Sequence, residues 1–414
     1  MAAGSVAVVP FSEFQRRLGL PGRRLPLQGT LETTYRCNLN CVHCYVNLPA
    51  GAPEERAREL PLARLKALLD EMAAEGCLEV LFTGGEVLVR PDFPELYVHA
   101  LELGLLVTVF TNGTLLTERI ADLLDARRPY AVEISLYGMT RQTYEAVTRV
   151  PGSYDRCLEG IGRLVARGLP LTLKTMALLA NHHEVAAMSA YARGLGLPFK
   201  FDSLLNARVD CGASRGEHQL RPEQALALEV QDQERMRELR EFCARFVAPP
   251  VGGREHDYVY TCGAGHTSFT VDPYGRLQLC QLSRGRPFDL SRQPFARGWH
   301  EHFPLLRARK WQTHAVCRSC SLVSLCGSCP GAAELETGDA EGLVPSFCQI
   351  AHLKAWEAMG ESCGHLRDAT CCLGGSKANR DRGVAGPRPD APGCSSCAGS
   401  TGAPSALIQV QRSR

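Results

Sequence analysis

Along most of this chain, short strongly apolar runs take turns with stretches whose apolar residues recur three and four positions apart. Gly29 to Tyr35 reads as a first strand, and Leu62, Leu65, Leu68, Leu69 and Met72 then come at helical spacing. Leu78 to Thr83 reads as a buried strand that ends in Gly84-Gly85. Strand patterns return at Leu105 to Thr111, Ala131 to Tyr137, Leu171 to Met176 and Phe199 to Phe201, separated by helical patterns near 93–103, 117–126, 153–167 and 182–194. Six strands alternating with helices predict an α/β fold with a parallel sheet, open or rolled into a partial (β/α)6 TIM-like barrel. A longer helix is predicted over Arg221 to Phe246, with Pro222 in its first turn, packing outside the barrel and bridging to the C-terminal part of the chain. In such folds the active site gathers at the carboxyl ends of the strands, which directs attention to the residues just after each one.

After the first strand comes Tyr35-Arg36-Cys37-Asn38-Leu39-Asn40-Cys41-Val42-His43-Cys44-Tyr45. A C-x-x-x-C-x-x-C spacing curls three thiolates round one face of a small cluster, and three sulfurs leave a four-iron cube one iron short of a protein ligand. Zinc or a fortuitous grouping is the competing reading, because the chain holds 19 cysteines. Ten of these fall into two groups, Cys77, Cys157, Cys211 and Cys243 are scattered, and Cys363, Cys371, Cys372, Cys394 and Cys397 lie near the C-terminus. The second group begins with Cys262 and Cys280, which bracket a predicted hairpin made of Phe269 to Val271, the turn Asp272-Pro273-Tyr274-Gly275, and Leu277 to Leu279. Cys317, Cys320, Cys326, Cys329 and Cys348 complete it.

The remaining composition narrows the class. A chain of 414 residues with 45% apolar residues is long enough for two or three domains with real cores. The formal net charge is +2, with Lys and Arg scattered, so no nucleic-acid partner is expected. No uncharged apolar run reaches membrane-spanning length and Met1 to Pro10 carries no basic residues, so the expectation is no membrane partner and a cytoplasmic location. From about Cys363 onward Gly, Ser, Ala, Pro and Arg dominate without apolar periodicity, which predicts a flexible tail.

The cysteine triplet resembles the signature of the radical S-adenosylmethionine (SAM) enzymes. There the amino and carboxylate groups of SAM chelate the open iron of a [4Fe-4S] cluster, and an electron from the cluster cleaves SAM to a 5′-deoxyadenosyl radical. Thr83-Gly84-Gly85-Glu86 resembles the family's G-G-E motif, which implies that Gly84 and Gly85 let backbone carbonyls meet the methionyl ammonium while Glu86 adds a carboxylate. Thr111-Asn112-Gly113 and Ile134-Ser135-Leu136-Tyr137-Gly138 are similar to segments near the SAM ribose and carboxylate, implying contacts from Asn112, Ser135 and Arg149.

The second cysteine group resembles the SPASM domain, a C-terminal extension of radical SAM peptide maturases that holds two auxiliary [4Fe-4S] clusters. By that resemblance Cys317, Cys320, Cys326 and Cys348 bind the second auxiliary cluster and Cys262, Cys280 and Cys329 the first. Two departures stand out: Cys326 and Cys329 are separated by two residues where the family usually has three, and the first cluster lacks a fourth cysteine. An open or exogenous ligand is therefore expected there, from a substrate thiolate, His256 or a tail cysteine.

The resemblance covers about residues 29 to 350. It implies an N-terminal extension over 1–28, a radical SAM core over 29–220, a linking helix over 221–254, a SPASM domain over 255–355 and the tail over 356–414. It also implies hydrogen abstraction from a peptide or protein substrate, most often a ribosomally made peptide that is crosslinked or oxidised. An external one-electron reductant of the flavodoxin or ferredoxin type is expected, and a separate leader-peptide-binding protein is a candidate partner. Relatives that form formylglycine place an Asp base after the hairpin's second cysteine, whereas here Gln281 stands there and cannot accept a proton at neutral pH. Asp202, just after the sixth strand, is the candidate base or substrate contact. A small-molecule radical dehydrogenase and a noncatalytic iron–sulfur electron carrier remain the readings from other classes, and the Gly84-Gly85-Glu86 loop argues against the carrier.

Overall fold

The computed structural model describes residues 23–46, 48–209, 215–247, 257–313, 316–327, 329–363, 367 and 369. His256, Cys211, Cys371, Cys372, Cys394 and Cys397 lie outside the described residues, as does the extension before Arg23. Six parallel strands form the core: β1 (Gln28–Thr34), β2 (Glu79–Gly84), β3 (Leu106–Thr111), β4 (Ala131–Ser135), β5 (Leu171–Met176) and β6 (Phe199–Asp202). They neighbour one another in chain order. Right-handed crossovers then place every connecting helix on one face, and the sheet curls round the other.

Those helices are α1 (Leu62–Ala74), α2 (Phe93–Glu102), α3 (Glu118–Ala126), α4 (Arg141–Thr148), α5 (Ser153–Ala166) and α6 (Val185–Gly194). Leu65, Leu68, Leu69 and Met72 of α1 are fully buried, as their spacing required. Helix α4 was not anticipated from the periodicity; its eight residues start on Thr140, whose hydroxyl accepts the Thr143 N–H at 3.2 Å.

The long helix expected over 221–246 is two helices, α7 (Pro222–Val230) and α8 (Gln233–Phe246). The break comes at Asp232, whose carboxylate accepts the N–H groups of Glu234 and Arg235 at 3.1 Å each and caps α8. Further on lie the hairpin strands β7 (Ser268–Val271) and β8 (Arg276–Gln278), the edge strand β9 (Phe288–Asp289), and the helices α9 (Pro330–Thr337) and α10 (Pro345–Met359). Lys354 on α10 reaches Glu229 on α7 at 3.0 Å, so the broken pair packs against the last helix. The packed chain continues through a final turn to Cys363, past the boundary drawn at 355.

The hairpin does not form a sheet of its own. β7 pairs parallel with β1, Gln28 opposite Ser268 and Leu31 opposite Val271, so the nine-stranded order is β9-β8-β7-β1-β2-β3-β4-β5-β6. Phe269 lies over Gly29, where a β-carbon would stand 2.7 Å from the ring, and packs 4.8 Å from Phe295 and 5.9 Å from Trp299, ring centre to ring centre. The hairpin turn is held by Asp272, whose Oδ1 accepts the Tyr274 and Arg276 N–H groups at 3.0 and 2.9 Å.

Phe269→Ala should cost about 3–5 kcal/mol of stability in urea unfolding, because it empties the joint between hairpin and core. Burial lifts the Asp272 carboxyl to about 6, above its unfolded value of 3.8. The folded chain thus keeps a proton that the unfolded chain releases, so this group favours folding at low pH and its contribution fades as pH rises through about 6. Asp272→Asn keeps the acceptor without the charge. At neutral pH it should be more stable than the natural chain by roughly 1–3 kcal/mol, with a flatter dependence of Tm on acid pH.

Candidate active site

Four backbone hydrogen bonds shape the first cysteine loop. Gly85 N–H donates to Thr34 O at 2.7 Å and Glu86 N–H to Arg36 O at 3.0 Å, tying the end of β2 to the chain entering the loop. Gly84 has φ 135°, and a β-carbon there would stand 2.1 Å from Thr34 O; one on Gly85 would stand 2.4 Å from Arg36 O. Only glycine fits either position. On the far side, Asn40 N–H and Val42 N–H donate to Thr148 O and Val147 O at 3.0 Å, hanging the loop on the end of α4.

A cavity of about 640 Å³ opens where the strands end. Cys37, Cys41 and Cys44 line it together with Gly84, Gly85, Asn112, Ser135 and Asp202. Burial pushes the Cys37 thiol up to about 12, with the nearby Glu86 carboxylate adding to it, and burial together with the neighbouring Cys44 and Cys37 pushes Cys41 well up. Thiols bunched in a dry cleft resist ionisation as free groups, and bound metal relieves that cost by neutralising the thiolates. His43 forms part of the same wall. Its buried Nδ1 has no hydrogen-bond partner among the described residues, its ring meets Tyr137 edge-on at 4.9 Å, and burial lowers its pKa to about 4.

Asn112 and Glu86 divide the work of the next loop. The Asn112 amide donates to Asn38 Oδ1 at 2.9 Å and reaches Cys37 Sγ at 3.7 Å. Glu86 is turned away from the cavity: its carboxylate accepts from the Thr111 hydroxyl at 2.7 Å, the Asn112 N–H at 2.7 Å and the Leu88 N–H at 3.1 Å. It therefore holds the Asn112 loop to the glycine loop. Arg149 is not brought to the cavity at all. It ends α4 in the left-handed conformation, φ 56°, with its side chain exposed. Asp202 lies at the rim, where its carboxylate accepts the Leu204 N–H at 2.9 Å.

The sequence reading missed Lys174. On β5 it faces inward over the Phe110 ring, 3.3 Å from the Glu133 carboxylate, which Lys200 also meets at 2.8 Å. Burial lowers its pKa to about 7 against the opposing pull of Glu133. A charged residue within a predicted core strand was the available signal.

The later cysteines gather round a second cavity of about 270 Å³, lined by Cys262, Cys317, Cys320, Cys326, Cys329 and Cys348. Cys280 stands beside it. Burial first, then relief from the Ser283 and Leu282 N–H groups, sets its thiol at about 11, and Cys329 and Cys262 are close enough to raise it further. Cys320, Cys326 and Cys363 pack against one apolar cluster that contains the fully buried Cys243. Among the described residues no three His, Cys, Asp or Glu side chains converge as a single bound ion requires. No helix among them is long and apolar enough to cross a membrane.

The residues of the first cavity fit a four-iron cluster with SAM. Three thiols share one wall, the glycines admit close backbone approach, and the volume lies in the range of small-molecule sites. Residues 31–191 match the model of the Radical SAM superfamily. The chain is 30% identical over 342 residues to the PqqA peptide cyclase of Xanthomonas axonopodis pv. citri (strain 306), covering 80% of this chain and 89% of that protein. It is 34% identical over 165 residues to the AdoMet-dependent heme synthase of Methanosarcina barkeri (strain Fusaro / DSM 804), covering 40% of this chain and less than half, 46%, of that relative. Its fold is similar to that of Streptococcus suis SuiB bound to precursor peptide SuiA, with a TM-score of 0.62 and 16% identity, over 84% of this chain and 83% of the other. With the cysteine loop, the glycine pair and the sheet agreeing with these likenesses, the chain belongs to the radical SAM superfamily and is an enzyme of that class.

Proposed function

We propose that the chain modifies a peptide by radical chemistry at the first cavity. When bound, a [4Fe-4S] cluster with SAM at its open iron supplies a 5′-deoxyadenosyl radical able to abstract hydrogen from a substrate. The chain's own residues hold and orient. Cys37, Cys41 and Cys44 supply the thiolates, Gly84 and Gly85 present backbone to the methionyl ammonium, and Asn112 and Ser135 offer polar contacts to the rest of SAM. Glu86 acts through Asn112, and the Phe110 and Lys174 side chains form the inner wall.

A single observation carries the substrate reading. Gln281 and Leu282, the two residues after Cys280, line the same cavity as Cys37, Cys41 and Cys44. The auxiliary segment thus forms one wall of the reaction chamber, where a substrate side chain would lie between the two cysteine groups. A ribosomally made precursor peptide is the substrate class we assign, in keeping with the names of the PqqA peptide cyclase and of SuiB with its precursor peptide. Gln281 offers no base, which speaks against formylglycine formation. Asp202 at the rim is the remaining candidate for proton transfer or substrate contact. Cys262, Cys280, Cys317, Cys320, Cys326, Cys329 and Cys348 would hold two auxiliary clusters, and a flavodoxin or ferredoxin type protein would deliver the electron.

Anaerobic reconstitution, dithionite reduction and SAM should yield 5′-deoxyadenosine, and Cys41→Ala should yield none; no product from the unmodified chain would defeat the proposal. Gly84→Ala places a β-carbon against Thr34 O in a strained conformation. It should weaken SAM binding at least about tenfold, or ~1.4 kcal/mol, by equilibrium dialysis. Incubation with peptides encoded beside the gene, read by mass spectrometry for loss of hydrogen, tests the substrate class.

A further inference from the structure

The carboxylate of Glu32, on β1, is fully buried and is the meeting point of segments far apart in the chain. Arg284 donates to both of its oxygens at 3.0 Å and to Gln281 O at 2.6 Å, and a further nitrogen of the same guanidinium donates to the Tyr35 hydroxyl. The Tyr35 hydroxyl donates to Glu32 Oε2 at 2.8 Å and the Tyr45 hydroxyl to Oε1 at 3.0 Å. The Gln281 amide stands 3.4 Å from the same oxygen. Tyr35 precedes Cys37 by two residues, Tyr45 comes directly after Cys44, and Gln281 directly after Cys280.

A buried ion pair is weak evidence for stability, because desolvation offsets much of the attraction. The guanidinium does supply direction, because its Nη2 meets both Glu32 oxygens while Nε and Nη1 donate to Gln281 O and the Tyr35 hydroxyl, so all three nitrogens of one rigid plane are fixed at once. Here that direction is spent between both ends of the first cysteine loop and the segment after Cys280. The pair is absent from every motif that the sequence reading used.

We infer that the Glu32–Arg284 pair is a positioning element that sets Cys280 and the cavity wall of Gln281 and Leu282 against the Cys37–Cys44 loop. The inference rests on the proposed reading of Cys262, Cys280 and Cys329 as auxiliary ligands. Arg284 touches neither cavity, so its effect is transmitted through the loop that it holds.

The test uses the full chain, reconstituted anaerobically. Iron in the unmodified protein is counted first; an amount no greater than one cluster per chain overturns the auxiliary reading, and the inference with it, before any variant is made. With auxiliary iron present, Arg284→Met should shift the midpoint potential and the electron paramagnetic resonance line shape of the auxiliary signal. SAM affinity and the signal of the SAM-loaded first cluster should stay as they are. Arg284→Lys, which keeps the charge and loses the planar fork, should give a smaller shift in the same direction, and it carries the test where Arg284→Met fails to fold. Lowered Tm with unmoved auxiliary spectra and potentials in the folded variants would show a merely stabilising pair and overturn the inference. A shift confined to the first cluster would overturn it as well.

Discussion

At the end of the first strand the carbonyl oxygens of Thr34, Tyr35 and Arg36 lie so close to Gly84 and Gly85 that a β-carbon on either glycine would stand 2.1 to 2.6 Å from them. Two stretches of backbone are pressed together with no side chain between, and the hydrogen bonds from Gly85 and Glu86 keep them there. The cysteine loop starts from that contact, so its direction is set before any metal arrives. Glu86 extends the same tie to the third strand through Thr111 and Asn112, and Asn112 passes it back to Asn38 and Cys37. Three strand ends are thereby fixed relative to one another by groups that need not touch a substrate.

A second constraint works from the opposite side. By pairing β7 with β1, the chain makes the auxiliary hairpin a continuation of the core sheet, and the loop after Cys280 reaches the rim of the reaction cavity. Phe269, Phe295 and Trp299 fill the joint, while Glu32 and Arg284 hold the loop on its polar side. An apolar contact of this kind supplies affinity without fine orientation; the buried pair supplies the orientation. The segments that carry Cys37 and Cys280 therefore both leave strands of one sheet.

Much of this was legible from residue order. The strand and helix periods and the hairpin turn at Asp272 to Gly275 stand where their patterns put them, because each reports on interactions within a few residues. The break at Asp232 was less visible: a charged helical stretch looks continuous until the carboxylate caps its own downstream N–H groups. Glu86 and Arg149 show how far a motif can be trusted. Both sit at the right place in the chain, yet one carboxylate is consumed by Thr111 and two N–H groups and the other side chain leaves for solvent. Lys174 escaped notice because a lone charge within a strand reads as a solvent-facing position, whereas here it lies over the Phe110 ring in the cavity wall.

By itself the sequence determined the class of fold and the spacing of the thiols, since those depend on local geometry and on chemistry carried by residue type. Only the tertiary structure decided which strand the hairpin would join, that Glu32 would face Arg284 across some 250 residues of chain, and which of the candidate residues would share a cavity with Cys37, Cys41 and Cys44. Contacts between distant segments are chosen by how whole faces pack, and no periodicity within one segment encodes the identity of its neighbour.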